Sequence, residues 1–106
     1  MVKQQVMSGT GTELKINVNV EPIDGFHMSG YDFICRFYIY ANRYVELSKD
    51  AMIKVDDDNY IACIDSAALG VGLVMMRITA YIPDTDFPDG LRTEVETVST
   101  EIRISK

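Results

Sequence analysis

The sequence lacks the long apolar run that a membrane span needs. No stretch approaches the roughly 18 residues required to cross a bilayer as a helix, and the start, Met1-Val2-Lys3-Gln4-Gln5-Val6-Met7-Ser8, holds no apolar stretch of signal-peptide length. It lacks a basic cluster as well. Ten Lys and Arg residues are scattered so that no two are adjacent, against 16 Asp and Glu, and the net charge is −6. A nucleic-acid binder needs a basic stripe to neutralise phosphates, and an anionic membrane surface makes the same demand. Neither is an expected partner. Histidine occurs once, at His27 in the run Gly25-Phe26-His27-Met28-Ser29-Gly30. A Ser or Cys nucleophile needs a histidine base held by a third group, and there is neither a Gly-x-Ser-x-Gly elbow nor a glycine loop leading into a helix. His27 reads as a solvated loop residue, and no enzymatic activity or cofactor is expected. Cysteine occurs twice, at Cys35 and Cys63, with no Cys-x-x-Cys pair. Each sits in a predicted strand among apolar neighbours and reads as a buried free thiol. A disulfide between them would require export to an oxidising compartment. A reducing setting is simpler, and a cytoplasmic or virion-associated location is expected.

What is present is a period of two. The chain has 106 residues, 47% hydrophobic and 25% charged, enough for one domain with its own core. Residues 1–12, ending Ser8-Gly9-Thr10-Gly11-Thr12, are small and polar and read as a flexible N-terminal arm; residues 13–106 read as a single domain. From Glu13, Leu14, Ile16, Val18 and Val20 alternate with polar residues until Pro22 and Gly25, the mark of a half-buried strand. Tyr31 to Tyr40 forms the next strand, with Tyr31, Phe33, Cys35, Phe37 and Ile39 on one face. Short strands are predicted at Tyr44–Leu47 and Met52–Val55. Asp56-Asp57-Asp58-Asn59 turns the chain into Tyr60–Ile64, completing a hairpin. Asp65-Ser66-Ala67-Ala68-Leu69-Gly70 alone has helical character and is predicted as a short turn crossing between sheets. Gly72–Pro83 is a long strand, Pro83 to Gly90 a loop, and Arg92–Ile104 the last strand. In that last strand Val95 runs out of phase with Val98, Ile102 and Ile104, so a β-bulge near Thr97 is predicted. About seven strands with turns every 8–12 residues, and no crossover helix, indicate an all-β antiparallel two-sheet sandwich.

Two features bear on function. Acidic residues cluster in loops, at Asp56-Asp57-Asp58 and at Asp84, Asp86 and Asp89. Exposed loop aspartates lack the facing geometry and raised pKa that glycoside hydrolysis demands. Asp84-Thr85-Asp86 begins like a calcium loop, but Pro88 and Val95 stand where further ligands are needed. A looser site of Asp84, Asp86 and Asp89 at a sandwich end is the metal candidate. Turn formation explains the same residues. The second feature is apolar excess. Ile34, Tyr38 and Tyr40 on one strand, and Leu73, Met75 and Tyr81 on another, fall on faces that a free sandwich would make polar. Exposed apolar patches mark contact surfaces, and Tyr and Met are enriched there.

The strand order resembles an immunoglobulin-like sandwich. Leu14-x-Ile16-x-Val18 resembles its first strand and Phe33-x-Cys35-x-Phe37 its central second strand. Asp58-Asn59-Tyr60-Ile61-Ala62, followed by Asp65-x-x-x-Leu69-Gly70-x-Gly72, resembles the strand, crossover and return strand. The disulfide and core tryptophan of antibody domains are missing. A more specific resemblance, over Glu13 to Ile104, is to the small immunoglobulin-like N-terminal domains of phage tail and baseplate proteins, which share this order and a closing run like Ile102-Arg103-Ile104. It implies a structural module in a symmetric assembly and carries over no catalytic residue. The expected function is a structural or interaction module that binds a protein partner or itself. The alternative is a ligand-binding module, for a carbohydrate or calcium, using end-loop residues such as Phe26 and Phe87.

Overall fold

A computed structural model describes residues 2–8, 13–65 and 69–104. Eight strands follow in order: β1 (Val2–Ser8), β2 (Glu13–Val20), β3 (Asp32–Tyr40), β4 (Arg43–Ser48), β5 (Ile53–Asp56), β6 (Asn59–Asp65), β7 (Gly72–Pro83) and β8 (Leu91–Ile104). Every pairing is antiparallel. They form two four-stranded sheets, in the orders β1-β2-β6-β5 and β4-β3-β7-β8. Consecutive strands pair within a sheet as β1–β2, β3–β4, β5–β6 and β7–β8, and the chain crosses to the other sheet after β2, β4 and β6. No helix among the described residues is long and apolar enough to cross a membrane.

The alternating residues of β2, β3 and β7 build the core. Ile16, Val18 and Val20 from β2 face Phe33, Cys35 and Phe37 from β3 and Val74, Met76, Ile78, Ala80 and Ile82 from β7, all buried. Phe33 is among the largest fully buried side chains of this core. Its ring meets Tyr60 of the opposite sheet edge-on, with centroids 5.2 Å apart at 83°. Such a contact ties the sheets together beyond simple area burial.

Several local expectations need correction. Val2–Ser8, read above as a flexible arm, pairs along its whole length with β2, from Val2 opposite Val20 to Ser8 opposite Leu14. The alternation that would have marked it is weak, because Gln4 and Gln5 interrupt the apolar positions. Leu14-x-Ile16-x-Val18 thus belongs to the second strand and Phe33-x-Cys35-x-Phe37 to the third. The helical turn expected at Asp65–Gly70 rests on residues 66–68, which lie outside the described residues. Single 3₁₀ turns occur instead at Met28–Gly30 and Lys49–Ala51.

The bulge in β8 is not at Thr97. It lies where Leu73 pairs with Arg103 and Met75 with Ser99, so that Val74 alone faces Thr100, Glu101 and Ile102. Glu101 takes a left-handed φ of 60° to make room. Thr100, buried, repairs the broken ladder: its hydroxyl donates to the Val74 carbonyl at 2.7 Å and accepts from the Ile102 N–H at 3.1 Å. Val95 needs no bulge, because it simply faces outward and is 58% exposed. The other half of β8 is unusual too: Arg92, Glu94 and Glu96 line a cleft against Val20, Ile78 and Ala80.

Candidate functional site

The outer face of the β4-β3-β7-β8 sheet collects every residue named above for its apolar excess. Register places them in cross-strand rows. Tyr44, Tyr38, Met75 and Ser99 form one row; Glu46, Arg36, Arg77 and Thr97 the next; Ser48, Ile34, Thr79 and Val95 a third. Asp32, Tyr81 and Thr93 close the series. Ile34, Tyr38, Leu73, Met75 and Tyr81 are half-buried among their neighbours, and Tyr40 is 53% exposed. Tyr40 stands at the end of the patch, its hydroxyl donating to the Val71 carbonyl at 3.2 Å.

Four further members of this face were not singled out above. Tyr44 and Val95 are exposed apolar side chains. Arg36 and Arg77 are stacked cations: the Arg36 guanidinium lies 4.0 Å above the Tyr44 ring, and that of Arg77 lies 5.9 Å from the Tyr38 ring. Arg36 also donates to Glu46 through Nε and pairs with it through a second nitrogen, both at 3.0 Å. Tyr44 was legible in the alternation Tyr44-x-Glu46-x-Ser48. The arginines were not, because their meaning depends on which strands are neighbours.

The opposite sheet offers less. Its exposed Ile53 and Val55 lie on β5, a four-residue edge strand. Cys63 points outward from β6 and is exposed, correcting its reading as a buried thiol. Cys35 is buried as expected, and burial pushes its thiol up to about 12. Both are free.

The acidic loops are committed to holding the sandwich ends. Asp58 takes His27 Nδ1 at 2.8 Å on one carboxylate oxygen and the Met28 N–H at 3.2 Å on the other. Asp57 accepts the Ser29 hydroxyl at 2.9 Å, and its carbonyl accepts the Ser29 N–H at 3.0 Å. The β2–β3 loop is thus bound to the β5–β6 turn, and His27 is a partnered residue rather than a free one. The Asp58 carboxylate raises the His27 pKa above 6.5. The Ser29 hydroxyl is bonded to Asp57, not to His27.

The metal candidates do not converge. Asp84 accepts the Asp86 N–H at 2.9 Å and Arg92 at 3.1 Å, while Asp89 accepts the Leu91 N–H at 3.1 Å. Among the described residues no three His, Cys, Asp or Glu side chains are placed to hold a metal ion. Arg92 is the centre of this end, bridging Asp24 of the β2–β3 loop and Asp84 of the β7–β8 loop. Its Nε lies 2.8 Å from Glu94, close enough to pair as charges but off the line of a hydrogen bond. Two hollows share Asp24 and Arg92: the β8 cleft, of about 410 Å³, and one of about 400 Å³ reaching Phe26 and Thr85. Comparison with protein-family models, with curated proteins and with solved structures finds no match to this chain.

Proposed function

We propose that the chain is a non-catalytic interaction module whose contact surface is the outer face of the β4-β3-β7-β8 sheet. The observation that carries this reading is the continuous run Tyr44, Tyr38 and Met75 across three neighbouring strands, extended by Ile34, Tyr81 and Val95. Solvated sheet faces are ordinarily polar, and Tyr, Met and Arg are the residue types that interfaces favour. The resemblance to small domains of phage tail and baseplate proteins agrees with a building block of a phage-like or other self-assembling structure. Light scattering over a wide concentration range tests it. The native chain is expected to associate with itself or with a protein partner, and Tyr40→Lys or Met75→Lys to weaken that association. Association unchanged in both variants refutes the surface.

A second reading, carbohydrate binding at the loop end, is favoured by the cleft beside Arg92 with its apolar floor of Val20, Ile23 and Ala80. A ligand bound there would raise the melting temperature of the native chain and leave that of Arg92→Met unmoved. Millimolar calcium is expected to leave the melting temperature unchanged, since the loop carboxylates do not converge on one point.

A further inference from the structure

All five arginines of this protein lie on β3, β4, β7 and β8. Lys3, Lys15 and Lys54 lie on β1, β2 and β5 of the other sheet, and Lys49 lies in the 3₁₀ turn after β4. Arginine is enriched at interfaces and lysine depleted, since a weakly hydrated planar cation stacks and pairs at less cost. At the centre of the outer face Arg36 and Arg77 stand directly opposite each other on adjacent strands. Like charges so placed destabilise a sheet. The row holds one carboxylate, Glu46, and Arg36 occupies it. Among the described residues no carboxylate pairs with Arg77, which is exposed above Tyr38. The face therefore has room for one more negative charge, set among apolar side chains.

The chain carries that chemistry at another place. In the β7–β8 loop Asp84 and Asp89 are bonded to the loop itself and to Arg92, but Asp86 is exposed and among the described residues no partner holds its carboxylate. Next to it Phe87 is 45% exposed. The tip is held in shape by Phe87 N–H to Asp84 O at 3.3 Å, Gly90 N–H to Phe87 O at 2.9 Å and Asp84 N–H to Gly90 O at 2.8 Å. A carboxylate beside an aromatic ring on a preformed turn is what the Arg77 region lacks.

We propose that the chain assembles head to tail, the Asp86–Phe87 tip of one copy docking on the Arg77 region of the next copy's outer face. The proposal rests on the interaction-module reading and names its partner as a second copy. The tip stands away from its own Arg77: Pro83 lies six residues along the same extended strand, roughly 20 Å away. The two surfaces are different, so the contact is heterologous and repeats, closing into a ring or running on as a filament.

The test is charge exchange, with the solution mass read by light scattering and folding checked by circular dichroism. The native chain is expected to gain mass with concentration. Arg77→Glu and Asp86→Arg should each move the association midpoint up by about tenfold or more, because each sets like charges together. An equimolar mixture of the two variants should associate like the native chain, since every tip then meets an opposite face. A native chain that stays monomeric, or a mixture of folded variants that stays apart, overturns the proposal. If Met75→Lys dissociates the native assembly while Asp86→Arg does not, the face is a contact surface but the tip is not its partner.

Discussion

Replacing Thr100 with valine removes one oxygen and leaves the shape almost intact, so it isolates what that oxygen does. Thr100 is 3% exposed and sits where β8 bulges away from β7. Its hydroxyl serves two backbone groups that the bulge has separated, the Val74 carbonyl and the Ile102 N–H. In Thr100→Val both are left without a partner, in a place water does not reach. Each buried backbone group left unsatisfied costs about 1–3 kcal/mol, so the substitution should destabilise the fold by roughly 2–4 kcal/mol, despite a gain in side-chain hydrophobicity. For a domain of this size that is about 10–30 °C in melting temperature. Urea unfolding followed by far-ultraviolet circular dichroism measures it directly, with unchanged m-value as the check that both states are comparable. Thr100→Ser is the control: it keeps the oxygen, loses one methyl, and should cost about 1 kcal/mol. If valine is tolerated as well as serine, the hydroxyl is not what closes the bulge, and that account of β8 fails.

Three more outcomes follow from single residues. Gly72 has φ of 137°, and a Cβ built there meets Ile39 Cγ2 at 2.9 Å; Gly72→Ala should cost about 1–3 kcal/mol, clearly more than Gly25→Ala, where the added carbon meets nothing within 4 Å, and chemical denaturation compares them. His27 binds its proton more tightly when folded, because Asp58 holds the imidazolium and raises its pKa from 6.5. Its stabilising contribution is therefore fully present below pH 6.5 and is lost as the pH climbs through the raised folded value. The melting-temperature gap between native chain and His27→Ala should narrow over that interval, and a gap independent of pH would contradict it. Ellman's reagent should titrate Cys63 in the folded protein and Cys35 only after denaturation, given one exposed and one buried free thiol; two equally fast thiols would place Cys35 wrongly.

The long strands were legible because β2, β3 and β7 are each buried on one side only, and that asymmetry writes a period of two into the residues. It blurred where a strand has another job. In β1 the register rests on backbone pairing with β2, which no local pattern reveals. In β8 the inward positions hold Arg92, Glu94 and Glu96 before the apolar Val98, Ile102 and Ile104, so Val95 looked like the residue in the wrong phase when it was the charged ones that were unusual. Cys63 reads as apolar filling in Tyr60–Ile64, yet parity alone puts it outside with Ile61. The apolar part of the candidate surface was visible as Tyr38, Met75 and their neighbours. Its electrostatic part was not: Arg36 and Arg77 are 41 positions apart in sequence, and only the β3–β7 register makes them a pair.

The charged inward side of β8 also governs how two molecules can meet. β8 is an edge strand of 14 residues, long enough to recruit a strand from a stranger and begin a fibre. A strand added beside Arg92, Glu94 and Glu96 would continue no hydrophobic layer, and past them the bulge at Thr100–Ile102 breaks the line of free amides. Templated, irreversible stacking is thereby discouraged along the border most open to it. At this border, encounter is left to side chains on the broad face and to the loop tip.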